Sequence, residues 1–195
     1  MDFLKGTGVA IVTPFKKNGE IDFTAYKSMV DFYVNNGISY LVILGTTGES
    51  HTVTFDEKNK ILENIVKFNR GRLGLIIGFS GNNTQKLVGE LSNYNLRDFN
   101  AILSVCPYYN KPTQVGLYEH FSHISKASPI PIILYDVPSR TGVSISNQTV
   151  FRLLEKYENI IGIKDATGDI EKGLDLIKKS PKNFHVISGD DYTAV

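Results

Sequence analysis

The feature that most constrains this chain is a repeated alternation. Seven short apolar runs, at residues 9–12, 40–44, 73–77, 101–105, 130–134, 160–163 and 185–187, are each separated by a segment long enough for a helix. Runs of this kind, rich in Val, Ile and Leu on successive positions, read as strands buried on both faces, which is the pattern of parallel sheets. The intervening segments carry helix signals. Phe23, Tyr26, Met29, Val30 and Tyr33 are spaced three or four apart behind Asp22, a residue suited to capping. Thr54-Phe55-Asp56-Glu57 has the form of a capping box, and Ile61, Leu62, Ile65 and Val66 follow it. Thr84 opens a stretch with Leu87, Val88 and Leu91. Leu117, Phe121 and Ile124 follow Pro112-Thr113, Ser146 precedes Val150, Leu153 and Leu154, and Asp169 precedes Leu174 and Ile177. Strand and helix alternating throughout predict an α/β protein with a mainly parallel sheet.

Each run ends in a Gly-rich or polar turn. Specialised turns at so many strand ends favour a (β/α)8 TIM barrel over an open sheet, because only in the barrel do all such loops converge on one site. A barrel needs an eighth strand, so the sequence predicts one domain over residues 1–195, a barrel truncated after its seventh strand and lacking the last βα unit and the C-terminal helices. Lys+Arg number 21 against 20 Asp+Glu, leaving a net charge of +1 and no electrostatic case for nucleic acid. Cys106 is the single cysteine, and residues 1–13 hold no long apolar stretch. These features point to a reducing cytoplasm, with no membrane partner.

The residues that invite chemistry lie at the ends of the runs. Lys164 follows Ile160-Ile161-Gly162-Ile163, where desolvation should lower its pKa and leave a nucleophilic amine. The plain alternative has it turned to solvent or paired with Asp165. Tyr135 occupies an equivalent position, as a proton relay or as a core tyrosine. Arg140 lies in a loop fixed by Pro138 and Gly142, either to clamp a carboxylate or to sit solvated. Gly45-Thr46-Thr47-Gly48-Glu49-Ser50 offers hydroxyls and backbone N–H groups to a carboxylate, or is an ordinary turn. It lacks the ending of a phosphate loop. His120 and His123 share a helical face without a further ligand, so they read as surface or supporting residues and no metal site is expected. Cys106 reads as a small core residue.

Together these motifs resemble the pyruvate-dependent class I aldolase superfamily, and within it the dihydrodipicolinate synthase family. The most specific are Gly45-Thr46-Thr47-Gly48-Glu49, Pro107-Tyr108-Tyr109-Asn110, Tyr135 through Gly142, and Gly162-Ile163-Lys164. The resemblance implies a lyase of lysine and diaminopimelate biosynthesis that needs no cofactor. It would condense pyruvate with L-aspartate 4-semialdehyde to 4-hydroxy-tetrahydrodipicolinate. It assigns the Schiff base to Lys164 and proton relay to Thr46, Tyr135 and Tyr109, the last reaching in from a neighbouring subunit. Thr47 would hold the pyruvate carboxylate, Arg140 that of the semialdehyde, and Gly189 would face the site. A homo-oligomer, a dimer of dimers, is implied. Asp136 stands where the family usually has Asn. In the lysine pocket of feedback-inhibited members, Ser50, Asn82 and Tyr108 match. Phe55 and Lys58 replace histidines there and Lys86 replaces a glutamate, so feedback should be weak or absent. The alternatives are another pyruvate lyase, acting on N-acetylneuraminate or keto-deoxy sugar acids, or an inactive truncated chain.

Overall fold

The computed structural model describes residues 2–194. Its seven strands are β1 (Gly8–Ala10), β2 (Tyr40–Ile43), β3 (Gly74–Phe79), β4 (Ala101–Val105), β5 (Ile132–Asp136), β6 (Ile160–Asp165) and β7 (His185–Ser188). Between them lie α1 (Phe23–Asn35), α2 (Phe55–Asn69), α3 (Thr84–Leu91), α4 (Gln114–Ala127), α5 (Pro138–Thr141), α6 (Asn147–Leu154) and α7 (Ile170–Lys179). The chain is α/β and of the TIM-barrel kind, with seven described strands, as the alternation predicted. Among the described residues no helix is long and apolar enough to cross a membrane.

The residues up to Gly78, joined by Leu96–Asn100, form one compact unit, and Phe79–Asn95 with Ala101 onward form a second. In the first, β1, β2 and β3 pair in parallel, with Gly8 opposite Tyr40 and Tyr40 opposite Gly74. Helices α1 and α2 pack against each other. Asp22 caps α1 by accepting from the Thr24 and Ala25 N–H groups, and Thr54 and Glu57 complete the capping box of α2. Both caps are purely local, which is why the sequence shows them. Tyr26, Val30, Ile61, Leu62 and Ile65 of the helices and Leu41 and Ile43 of β2 are all buried.

In the second unit β4 to β7 pair in parallel, and every residue of β4 and β5 is buried. Thr113, Ser146 and Asp169 cap α4, α6 and α7 through side-chain oxygens, and Asn83, one residue ahead of Thr84, caps α3. Three readings change here. Strand β6 continues through Lys164 to Asp165, so Lys164 is its penultimate residue. Leu174 and Ile177 are exposed, and α7 instead buries Leu176. Its inward face therefore also carries Lys172, four residues earlier.

His120 narrows the third reading, for at 3% exposure it is not a surface residue and the supporting role is the one left. Its Nδ1 lies 2.8 Å from the Thr84 hydroxyl, while Nε2 is buried without a hydrogen-bond partner. A protonated ring would need acceptors at both nitrogens, so the neutral form is held and burial, helped by His123, pushes the pKa down to about 4. Between the ordinary value and about 4, the unfolded chain binds the proton and the folded one does not. Stability should therefore be complete above about pH 6.5 and fall as pH drops toward 4, by on the order of 3 kcal/mol. Urea unfolding from pH 7 to pH 4 should show this slope and His120→Gln should flatten it. An unchanged slope in the variant would assign the acid sensitivity elsewhere.

Candidate active site

Register builds the second unit's cluster. Tyr135 of β5 pairs with Lys164 of β6, and Asp136 pairs with Asp165. Side chains alternate along a strand, so Tyr135 and Lys164 share one face and the two carboxylates share the other. The Lys164 Nζ lies 4.7 Å from the centroid of the Tyr135 ring. Lys164 is half-buried, and burial alone holds its pKa below the usual lysine value, as the sequence predicted. Lys164 does not pair with Asp165, the next residue along β6, whose side chain points to the opposite face and whose Oδ1 accepts from the Thr167 N–H at 2.9 Å and its hydroxyl at 2.6 Å. Among the described residues no carboxylate lies within ion-pair reach of Lys164.

Gly189 joins this cluster. Its N–H donates to the Asp165 carbonyl at 2.7 Å, and a Cβ there would stand 2.8 Å from Lys164 Cε and 2.9 Å from Ala166 Cβ. Only glycine leaves the lysine stem its path. Arg140 is exposed on α5, a single turn that begins at Pro138 and ends where Gly142 takes φ 72°. The loop expected here is thus a helical turn, because proline presets its first position. Tyr109 is 86% exposed with φ 73°, and no contact joins it to Lys164 or Tyr135 among the described residues. Cys106 is fully buried and its thiol is pushed up by burial, as a core residue would be.

The first unit holds the threonine pair. After β2, Leu44 adopts φ 57° and Glu49 φ 51°, two non-glycine residues in the left-handed region around the Gly45–Ser50 turn. Such strain of about 1–3 kcal/mol per residue persists only where surrounding bonds enforce it. Here Thr13 Oγ1 donates to the Gly48 carbonyl at 2.6 Å, and the buried Tyr26 hydroxyl donates to Thr13 at 3.0 Å. Thr46 and Thr47 are exposed at the turn, and their hydroxyls make no hydrogen bond within the described residues.

Sequence reasoning missed three groups. The Thr13–Tyr26 brace was visible only as a turn and a helix face. Asp136, noted as a small departure, is fully buried, and its Oδ2 accepts from Lys172 Nζ and from Ser144 Oγ, the latter at 2.7 Å. Burial raises its pKa, while the Lys172 and Ser144 bonds pull it back. Lys172 could have been found from its phase, four residues before the buried Leu176.

A match to the dihydrodipicolinate synthetase family spans residues 3–195. The chain is 53% identical over 186 residues to the 4-hydroxy-tetrahydrodipicolinate synthase of Flavobacterium psychrophilum, covering 95% of this chain and 64% of that relative. Its structure is similar to dihydrodipicolinate synthase from Aquifex aeolicus, with a TM-score of 0.90 and 43% identity over 95% of this chain and 63% of that one. It is also similar to the Acinetobacter baumannii dihydrodipicolinate synthase solved with pyruvate, with a TM-score of 0.92 and 42% identity over 97% of this chain and 65% of that one. The chain thus spans just under two thirds of the length of these relatives. On this match, the chain belongs to the dihydrodipicolinate synthetase family.

Proposed function

We propose that this chain serves as a lyase, a 4-hydroxy-tetrahydrodipicolinate synthase that joins pyruvate to L-aspartate 4-semialdehyde through a Schiff base on Lys164. The observation that carries this reading is the half-buried Lys164 amine over the Tyr135 ring, with no carboxylate among the described residues to hold it protonated. A neutral amine attacks the pyruvate ketone and water leaves. The imine then draws electrons from the adjacent methyl group, whose proton departs to give an enamine. The enamine carbon attacks the aldehyde, and the semialdehyde's own amine displaces Lys164 as the ring closes.

Each step moves a proton, and Tyr135 is the group we assign to it, relayed through Thr46 and Tyr109. The exposure of Tyr109 leaves it free to reach into a second copy and so supports a homo-oligomer, which we assign as a dimer of dimers. Thr47, with an uncommitted hydroxyl beside turn N–H groups, is assigned the pyruvate carboxylate, and Arg140 that of the semialdehyde. Gly189 gives Lys164 room. The single barrel domain and a cytoplasmic location complete the reading. The likeness to relatives named 4-hydroxy-tetrahydrodipicolinate synthase and dihydrodipicolinate synthase supports this second substrate over sugar acids. Incubation with pyruvate and borohydride should add a reduced adduct at Lys164 by peptide mapping; a chain left unmodified would speak for an inactive one.

Feedback by lysine is expected to be weak. Lys86 lies exposed on α3, 3.7 Å from Glu90, and brings a positive charge where the feedback-sensitive pattern has a carboxylate. A cation there repels the amine of lysine. Titrating activity with lysine should leave it unchanged below the millimolar range, and sub-millimolar inhibition would overturn the expectation.

A further inference from the structure

The loop that carries Arg140 is closed at its base by buried polar bonds that the proposed chemistry does not use. Asp136 stands at one end of the loop and Ser144 at the other, and the Ser144 hydroxyl donates to Asp136 Oδ2 at 2.7 Å. Lys172 of α7 donates to that same carboxylate oxygen and to Ser144 Oγ at 3.0 Å. An inner rung lies within the first. Thr141, 3% exposed, lies 3.2 Å by its hydroxyl from the Val137 carbonyl and 2.7 Å from the Val143 carbonyl. From the outer side, Gln114 of α4 donates to the Ser144 carbonyl at 2.8 Å and accepts from the Ser146 N–H at 2.9 Å. The base of the loop is thus fixed to β5, α4 and α7, while Arg140 at its tip stays exposed.

We propose that Asp136 and Ser144 are positioning residues, whose bond, locked by Lys172, closes the Arg140 loop and presents the guanidinium preformed to the carboxylate of the second substrate. This rests on the role assigned to Arg140 above. A bidentate guanidinium–carboxylate contact needs both planes aligned before they meet, so a loosened loop loses affinity for the carboxylate. The chemistry at Lys164 lies on the opposite face of β5 and β6, so forming the pyruvate imine does not draw on this closure.

The test compares Ser144→Ala, which removes the closing hydroxyl, with Ser144→Thr, which keeps it. In Ser144→Ala, KM for aspartate semialdehyde should rise about ten-fold while kcat and borohydride trapping of pyruvate at Lys164 hold, and Ser144→Thr should restore KM. Hydrogen exchange reads the closure without any substrate. The Arg140, Thr141 and Gly142 amides, bonded to the Val137 and Pro138 carbonyls, should exchange about ten-fold faster in Ser144→Ala. Unchanged exchange overturns the closure itself. Faster exchange with an unchanged KM, or an equal loss of pyruvate trapping, overturns the positioning role. A wild-type chain that traps no pyruvate sinks the catalytic reading instead, and the exchange measurement still decides whether the bond closes the loop.

Discussion

Lys164→Met should abolish condensation, lowering turnover by at least about 10³-fold, and should leave no borohydride-stable pyruvate adduct. The argument is chemical. Only an amine can form the imine that serves as electron sink, and methionine fills the same path past Gly189 without one. Lys164→Arg keeps a cation but not a nucleophile, since guanidinium is not deprotonated in proteins, and should be as inactive. The pH dependence follows from the direction of the shift. Burial holds the Lys164 pKa down, so the fraction of neutral amine rises at lower pH than for a solvated lysine. The rate of adduct formation should therefore climb with pH and level off below the range in which solvated lysines titrate. Adduct formation that tracks that range would show that burial does not activate this amine. A retained adduct in Lys164→Met would place the Schiff base on another residue.

Lys172→Met should cost stability, by about 3–5 kcal/mol at neutral pH. Asp136 is fully buried, its Oδ1 has no hydrogen-bond partner, and Asp165 lies opposite it in register. Lys172 is the one cation whose attraction draws the Asp136 pKa down among the described residues. Without it the carboxyl, already raised by burial, moves further up and stays protonated in the fold. The sign then sets the pH window. Below the ordinary carboxylate range both folded and unfolded forms are protonated and the variant's deficit is smallest. As pH rises the unfolded chain ionises while the folded one resists, so the deficit grows toward neutrality. Urea midpoints for wild type and variant at pH 4 and pH 7 would measure it. A deficit independent of pH would mean that lost packing of the lysine stem, and not the unpaired carboxylate, carries the effect.

The two predictions concern opposite faces of the same pair of strands, and that is where the sequence stops. The helix caps at Asp22, Thr54 and Asp169 were legible because a cap involves residues two or three apart. The strands were legible because buried β-branched runs have no other low-energy fate, and their edges moved by at most two residues. The lowered pKa of Lys164 was legible too, since an apolar strand desolvates its last residues whatever lies beside them. Tertiary structure alone decided which residues meet. Tyr135 faces Lys164 through a register set between strands whose sequences are far apart, including a shift between Ile132 and Ile133 that no local pattern encodes. Gly189 touches the Lys164 stem across the β6–β7 pairing. Asp136 became an ion-paired group only because the phase of α7 brought Lys172 inward beside Leu176. Local chemistry thus fixed the elements and the state of the lysine, while long-range packing chose its neighbours.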